Sequence, residues 1–310
     1  MRVRLRLVAV WWLLLAVSVP AQQAALGRAQ QVADGVRLYR LDDSSLLSPA
    51  GPVAVRALRL DPRIVTLEIG RATNVDPARE TVETLATKRP GTIAAINAGF
   101  FSLETGRPTA FLKTDGRVVN GTSRPRGAVG IDDRRGVTTL LFDRVAVTSP
   151  PDKRPDYKPL LGSSPRDWSR VPHAIGGAGL LLLGGREFTE WTDERIAAGF
   201  ETTRHPRTVI GTDAKGAIWL ITVDGRNPSL SLGMSFGELQ RLSRRLGLRS
   251  ALNLDGGGST SSRPGVPTGR MRSCERRSTS RARLESPRSS SARRSILPPW
   301  RPLATPSSSP

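Results

Sequence analysis

Apolar positions along this chain fall in short runs broken every few residues by Gly, Pro, Asn or Asp. Such punctuated runs predict many short strands. Residues 53–60 and 64–69 flank Asp61-Pro62 and read as strands, the second with clean alternation. Residues 93–96 form a short apolar run that reads as a buried strand. Three hairpins are expected: around Asp115-Gly116, around residues 132–136, and around Lys215-Gly216 between 208–212 and 217–223. Leu180 to Leu183 and residues 251–254 read as further buried strands.

Two stretches switch to helical spacing. Residues 77–88 carry helix formers and stop at Arg89-Pro90-Gly91. Residues 235–246 place Phe236, Leu239, Leu242 and Leu246 on one face, and Gly247 ends them. Residues 149–172, rich in Pro, Lys and Asp, read as a surface excursion. The sum is an α+β protein: a single mixed-sheet domain with many short strands and few helices.

The two ends of the chain break this pattern. Arg2, Arg4 and Arg6 precede an apolar run from Leu7 to Val19, and Val19-Pro20-Ala21 offers a small-residue cleavage site. The run is short for a bilayer span, so the expectation is a cleaved signal peptide over residues 1–21 and export to the periplasm, envelope or exterior. Residues 22–49 read as a linker and 50–260 as the folded domain. From 261 to 310 there are 13 Ser, 11 Arg and 8 Pro, with no apolar period. That composition predicts a disordered tail. A reading-frame slip near codon 260 would also produce it.

Composition then narrows the function. The formal net charge is +20, but more than half of the excess lies in the first six and last fifty residues. The middle of the chain is mildly basic without a like-charge run, which suits an anionic substrate as well as a nucleic acid. The tail lacks interleaved aromatics, so no nucleic-acid partner is expected. Two His and a single Cys, Cys274 in the tail, exclude a Cys/His zinc cluster and a disulfide scaffold.

Candidate chemistry sits at strand ends. Asn97 and Gly99, in Asn97-Ala98-Gly99-Phe100-Phe101, follow a run read as a buried strand; the amide suits a sugar hydroxyl or phosphate, though a turn with two core aromatics is the plainer reading. A second glycine-rich stretch, His173 to Gly179, has no P-loop ending and could cradle an anion. Arg204, Arg207 and Arg226 bracket the 208–223 hairpin and could clamp a phosphodiester, or simply be solvated. Asp224 closes that hairpin. Asp255 enters Gly256, Gly257, Gly258 and Ser259 straight from a strand, placing an acid beside backbone donors and a hydroxyl. Three consecutive glycines are costly for folding, so a close backbone or ligand contact is expected there.

In order, Ile96-Asn97-Ala98-Gly99-Phe100-Phe101, the 174–182 stretch, Arg204 to Asp213, Val223-Asp224-Gly225-Arg226 and the 252–260 stretch resemble the phosphodiester glycosidase family, over roughly residues 50–260. The resemblance implies hydrolysis of a sugar-1-phosphodiester at the glycosidic C–O bond, with an envelope or exopolysaccharide substrate. It implies Asp255 and Asp224 as catalytic carboxylates. Asn97, Gly99, the three arginines and Gly256 to Ser259 then bind the substrate. Such an Asp/Asn-rich site also suits Ca²⁺ or Mg²⁺ through oxygen ligands, with no cofactor strictly required. Ala98 and Ala178 stand where the family pattern favours glycine. A non-catalytic secreted binder of anionic glycopolymers is the competing expectation.

Overall fold

The computed structural model describes residues 29–72, 80–150 and 153–256. The expected export signal, the tail, and Gly257, Gly258 and Ser259 lie outside the described residues. Strands β1 (Gln30–Ala33), β2 (Val36–Leu41), β3 (Val55–Leu60), β4 (Leu112–Thr114), β5 (Arg117–Asn120), β6 (Thr122–Asp132) and β7 (Thr139–Thr148) precede the midpoint. After them come β8 (Asp156–Pro159), β9 (His173–Gly176), β10 (Leu180–Leu183), β11 (Arg186–Glu187), β12 (Arg207–Asp213), β13 (Ile218–Val223) and β14 (Leu248–Leu254). The helices are α1 (Val82–Thr87), α2 (Pro165–Arg170) and α3 (Phe236–Arg245), with 3-10 turns at Ser44–Leu46 and Thr192–Glu194.

These strands make two sheets, ordered β1-β2-β3-β13-β12-β14-β10-β11 and β5-β4-β9-β6-β7-β8. Neighbours within both sheets pair antiparallel. The expected α+β domain of many strands and few helices is what the structure shows. Residues 22–49 are more than the linker their composition suggested: β1 and β2 form the edge of the larger sheet, because Val36, Leu38, Tyr39 and Leu41 have a core to bury against.

Four layers result. On the outer face of the larger sheet, Phe236, Leu239, Leu242 and Leu246 of α3 and its exit pack on Val55, Trp219, Ile221 and Ala251. The helix starts where Ser235 and Glu238 cap each other reciprocally, and Gly247, at φ +79°, lets the chain turn away. Full burial of each of the first three apolar side chains contributes about 2 kcal/mol. Between the sheets, Leu58, Ile210, Leu252 and Leu254 meet Val129, Ile131 and Ile175. On the far side, Trp168 of α2 packs with Phe111, Val145 and Tyr157.

Two expected strands are absent. Residues 64–69 and 93–96 run irregularly, yet Val65, Leu67, Ile69, Ile93, Ala94 and Ile96 pack against the layer between the sheets. The alternation of 64–69 and the continuous apolar run of 93–96 record burial without ladder pairing. Residues 149–172 also hold more than a loop: they contain β8 and the capped helix α2.

Candidate active site

Strand β12 sits between β13 and β14, with Arg207 opposite Val223 and Thr208 opposite Leu254. Asp224 is therefore the first residue beyond β13, and Asp255 the first beyond β14. The two carboxylate-bearing residues leave the sheet on either side of Arg207, at one end of the sandwich. The Asp224 N–H donates to the Ala54 carbonyl at 3.0 Å, and Ser231 Oγ donates to the Asp224 carbonyl at 2.5 Å.

The aromatic loop reaches the same place. The Asp255 N–H donates to the Ala98 carbonyl at 3.0 Å, which sets Asn97 and Gly99 beside the end of β14. Asn97 is half-buried, and its Nδ2 is buried without a hydrogen-bond partner. A Cβ on Gly99 would stand 3.4 Å from Ile175 Cγ2 and 3.7 Å from the Gly176 carbonyl oxygen. So the aromatic loop and the glycine-rich link between β9 and β10 meet as well.

Backbones cross closely enough here that side chains are excluded. A Cβ on Gly177 would lie 2.3 Å from the Asn253 carbonyl oxygen, and one on Gly256 would lie 2.5 Å from both Arg207 Cα and the Pro206 carbonyl oxygen. Neither contact can relax by rotating a side chain. Of the backbone or ligand contact expected for the glycines, a backbone contact accounts for Gly256.

The arginines divide. Arg207 is 1% exposed. Its Nε donates to the Met234 carbonyl, and its Nη2 to the carbonyls of Phe200 and Thr203. The guanidinium carbon lies 4.3 Å and 4.7 Å from the ring centres of Phe200 and Phe236. This corrects the clamp expected from sequence. Period 2 puts Arg207 on the same face as Val209, toward α3, and burial there brings its pKa down to about 10. Arg204 is committed too: its Nε and Nη2 donate to the Glu238 carboxylate, and Nη2 also donates to the Pro49 carbonyl. Only Arg226 of the three is exposed; it adopts φ +60° on the turn that follows Asp224.

Two residues without an assigned role join this region. His205 stacks on Phe200 at 5.4 Å; burial first, and then Arg207 and Arg226, hold its pKa below the usual imidazole value, so it is neutral at neutral pH. Glu194, fully buried, accepts hydrogen bonds from Gly127, Gly179 and Leu180 N–H groups and from Arg144. A position in the Arg204-His205-Pro206-Arg207 stretch pointed at His205. No local pattern marks Glu194, which lies on a 3-10 turn between loops. His173 is placed elsewhere: its Nδ1 accepts from the Asp115 N–H at the β4–β5 hairpin.

Among the described residues, no three His, Cys, Asp or Glu side chains gather closely enough to hold a metal ion. The expected Ca²⁺ or Mg²⁺ thus has no acidic cage of its own there. Two grooves of about 570 Å³ are lined by Arg59, Asp61 and Asp213 and by Asp132, Asp167 and Arg170, at other parts of the domain.

Two antiparallel sheets thus bring acidic and glycine-rich strand ends together at one end of the domain. The phosphodiester glycosidase family profile matches residues 90–263, and the chain belongs to that family. It is 27% identical over 251 residues to N-acetylglucosamine-1-phosphodiester alpha-N-acetylglucosaminidase of Bos taurus, covering 78% of this chain and 40% of the bovine protein. The chain thus spans well under half the length of that relative. Its fold is shared with the zebrafish catalytic domain of that name, described as auto-inhibited by its pro-peptide, at TM-score 0.53 and 21% identity over 72% of this chain and 70% of that one. A hypothetical protein from Synechocystis has the same fold at TM-score 0.57 and 19% identity, covering 73% of this chain and 57% of that one. Among the described residues, no helix is long and apolar enough to cross a membrane.

Proposed function

We propose that this protein is an exported hydrolase that cleaves a sugar-1-phosphodiester of the N-acetylglucosamine-1-phosphodiester type, in envelope or exopolysaccharide metabolism. The observation that carries the reading is the exit of Asp224 and Asp255 on either side of one strand, with the Asn97 loop hydrogen-bonded to Asp255. The family, the activity named for the bovine relative, and the signal-like first 21 residues support it.

In this proposal the bond from the sugar C1 to the phosphate oxygen breaks. Water supplies the hydroxyl to C1, and its other proton goes to solvent or to the phosphate monoester released. The leaving group already carries negative charge and needs little protonation. Asp255 assists water or stabilises the oxocarbenium-like centre, with Asp224 as the second carboxylate. Asn97 hydrogen-bonds the sugar or phosphate, and Arg226 is the arginine placed to face the anion. Arg204 and Arg207 hold the site's framework instead.

The purified mature protein and its Asp255→Asn variant, incubated with N-acetylglucosamine-1-phosphate diesters, test the proposal. Free sugar released by the parent and lost in the variant supports it. Tight binding of anionic glycopolymers with no sugar released by either would instead favour a non-catalytic binder.

A further inference from the structure

The link between the two sheets at the candidate site is Gly177-Ala178-Gly179, and it grips the strand that ends at Asp255. The Ala178 N–H donates to the Asn253 carbonyl, the Asn253 N–H donates to the Gly179 carbonyl, and Asn253 Nδ2 donates to the Ala178 carbonyl. On its other side the Gly177 N–H donates to the Gly127 carbonyl of β6. Glycines give this link its close approach but no stiffness of their own. Something else must fix it.

Glu194 is in the position to do so. Its Oε2 accepts from the N–H groups of Gly127 at 2.9 Å and Gly179 at 3.0 Å, so one oxygen ties the smaller sheet to the link. Its Oε1 accepts from the Leu180 N–H at 3.2 Å and from Arg144 Nε at 2.8 Å. Arg144 is anchored in turn by donating Nη2 to the Glu190 carbonyl. All four partners are donors, so both carboxylate oxygens serve as acceptors, two hydrogen bonds to each. A buried charge held by Arg and three N–H groups is stiff, because any displacement strands an ion in an apolar layer.

We infer that Glu194, backed by Arg144, is a positioning residue for Asp255, acting through Gly179 and Asn253 without touching substrate. The inference rests on the proposed hydrolase function for its catalytic consequence. It does not rest on it for its structural one: loss of the carboxylate frees the link and the end of β14 first.

Asp143 supplies the control. It is equally buried, and its carboxylate accepts from the N–H groups of Arg144, Leu160, Leu161 and Ser163. Those contacts fix the approach to α2. Glu194→Gln and Asp143→Asn are isosteric and each removes one buried acceptor oxygen. Both are expected to lower thermal stability.

The test compares the two variants with the parent at a temperature where all three are folded by circular dichroism. For Glu194→Gln, kcat on an N-acetylglucosamine-1-phosphate diester should fall by about tenfold or more with KM little changed, as misplacement of a reacting group predicts. Asp143→Asn should stay within about twofold, since the fold is intact and its one contact toward Glu194 is the Arg144 backbone N–H, which the variant's remaining amide oxygen still accepts and which leaves the Arg144 side chain on Glu194. In parallel, hydrogen exchange over residues 249–256 should quicken in Glu194→Gln and not in Asp143→Asn. Equal loss of kcat in both variants, or unchanged exchange over 249–256 in Glu194→Gln, would overturn the inference. A parent that releases no sugar defeats the hydrolase reading, and the exchange comparison then decides the positioning role by itself.

Discussion

Arg207 and Arg204 stand within four residues of each other, and both trade a ligand role for a structural one. Arg207 lies against two aromatic rings and has three carbonyl partners, an arrangement that needs a planar fork. Arg207→Lys should therefore cost about 3 kcal/mol of stability, near the loss seen on breaking a buried charged contact. Urea unfolding measures it; a variant as stable as the parent would mean those contacts do not hold the strand. Arg204 meets Glu238, whose carboxyl burial would push up. Hydrogen bonds from Arg204, the Ser235 and Ser48 backbones and the Ser235 hydroxyl outweigh that and hold its pKa below the usual 4.5. A depressed carboxyl stabilises the fold above the unfolded-state value and loses that contribution as pH falls through the folded one. Stability should thus drop below pH 4.5, and Glu238→Gln should flatten that acid limb in unfolding scans from pH 6 to 3. An equally steep limb in the variant would assign acid sensitivity to other groups. Asp224 and Asp255 were legible from sequence because each directly follows an apolar run. Glu194 was not, because its partners are backbone groups from residue 127 and from 179 and 180, a pairing no local pattern encodes.

At the level of elements, hairpins were the most legible, since Asp-Gly turns dictate pairing locally. Asp115 and Gly116 both adopt positive φ, as a two-residue turn between β4 and β5 requires. Residues 64–69 and 93–96 failed as strands for the opposite reason: an apolar pattern, alternating or continuous, reports which side chains are buried, and only a neighbour with open edge groups converts an extended run into a ladder. The glycine link from β9 to β10 is the element on which the site most depends. Gly177→Ala would push a methyl to 2.3 Å from the Asn253 carbonyl oxygen and 2.9 Å from Leu252 Cγ. Since the backbone must give, the expected loss is about 2 kcal/mol or more, read by thermal or urea unfolding. The loss should be accompanied by weaker protection of β14 amides. An Ala variant with parental stability would show that the crossing is looser than described.

Across the whole molecule, the sandwich gathers residues that are up to about 160 positions apart in the chain, near residues 97, 177, 207, 224 and 255, onto one end. Antiparallel order makes this unavoidable once β12 lies between β13 and β14, because the hairpin exit and the β14 exit then face the same way. In the proposed function that gathering links a mildly basic, glycine-rich domain to phosphodiester chemistry, and it could be read from the sequence only by likeness to a family. The most direct test is sugar release from an N-acetylglucosamine-1-phosphate diester by the mature protein, set against Asp255→Asn with matched folding by circular dichroism. The account predicts release by the parent and a fall of about a hundredfold or more in the variant, the scale of losing a carboxylate that acts in the transition state. Equal release by the two proteins would contradict it.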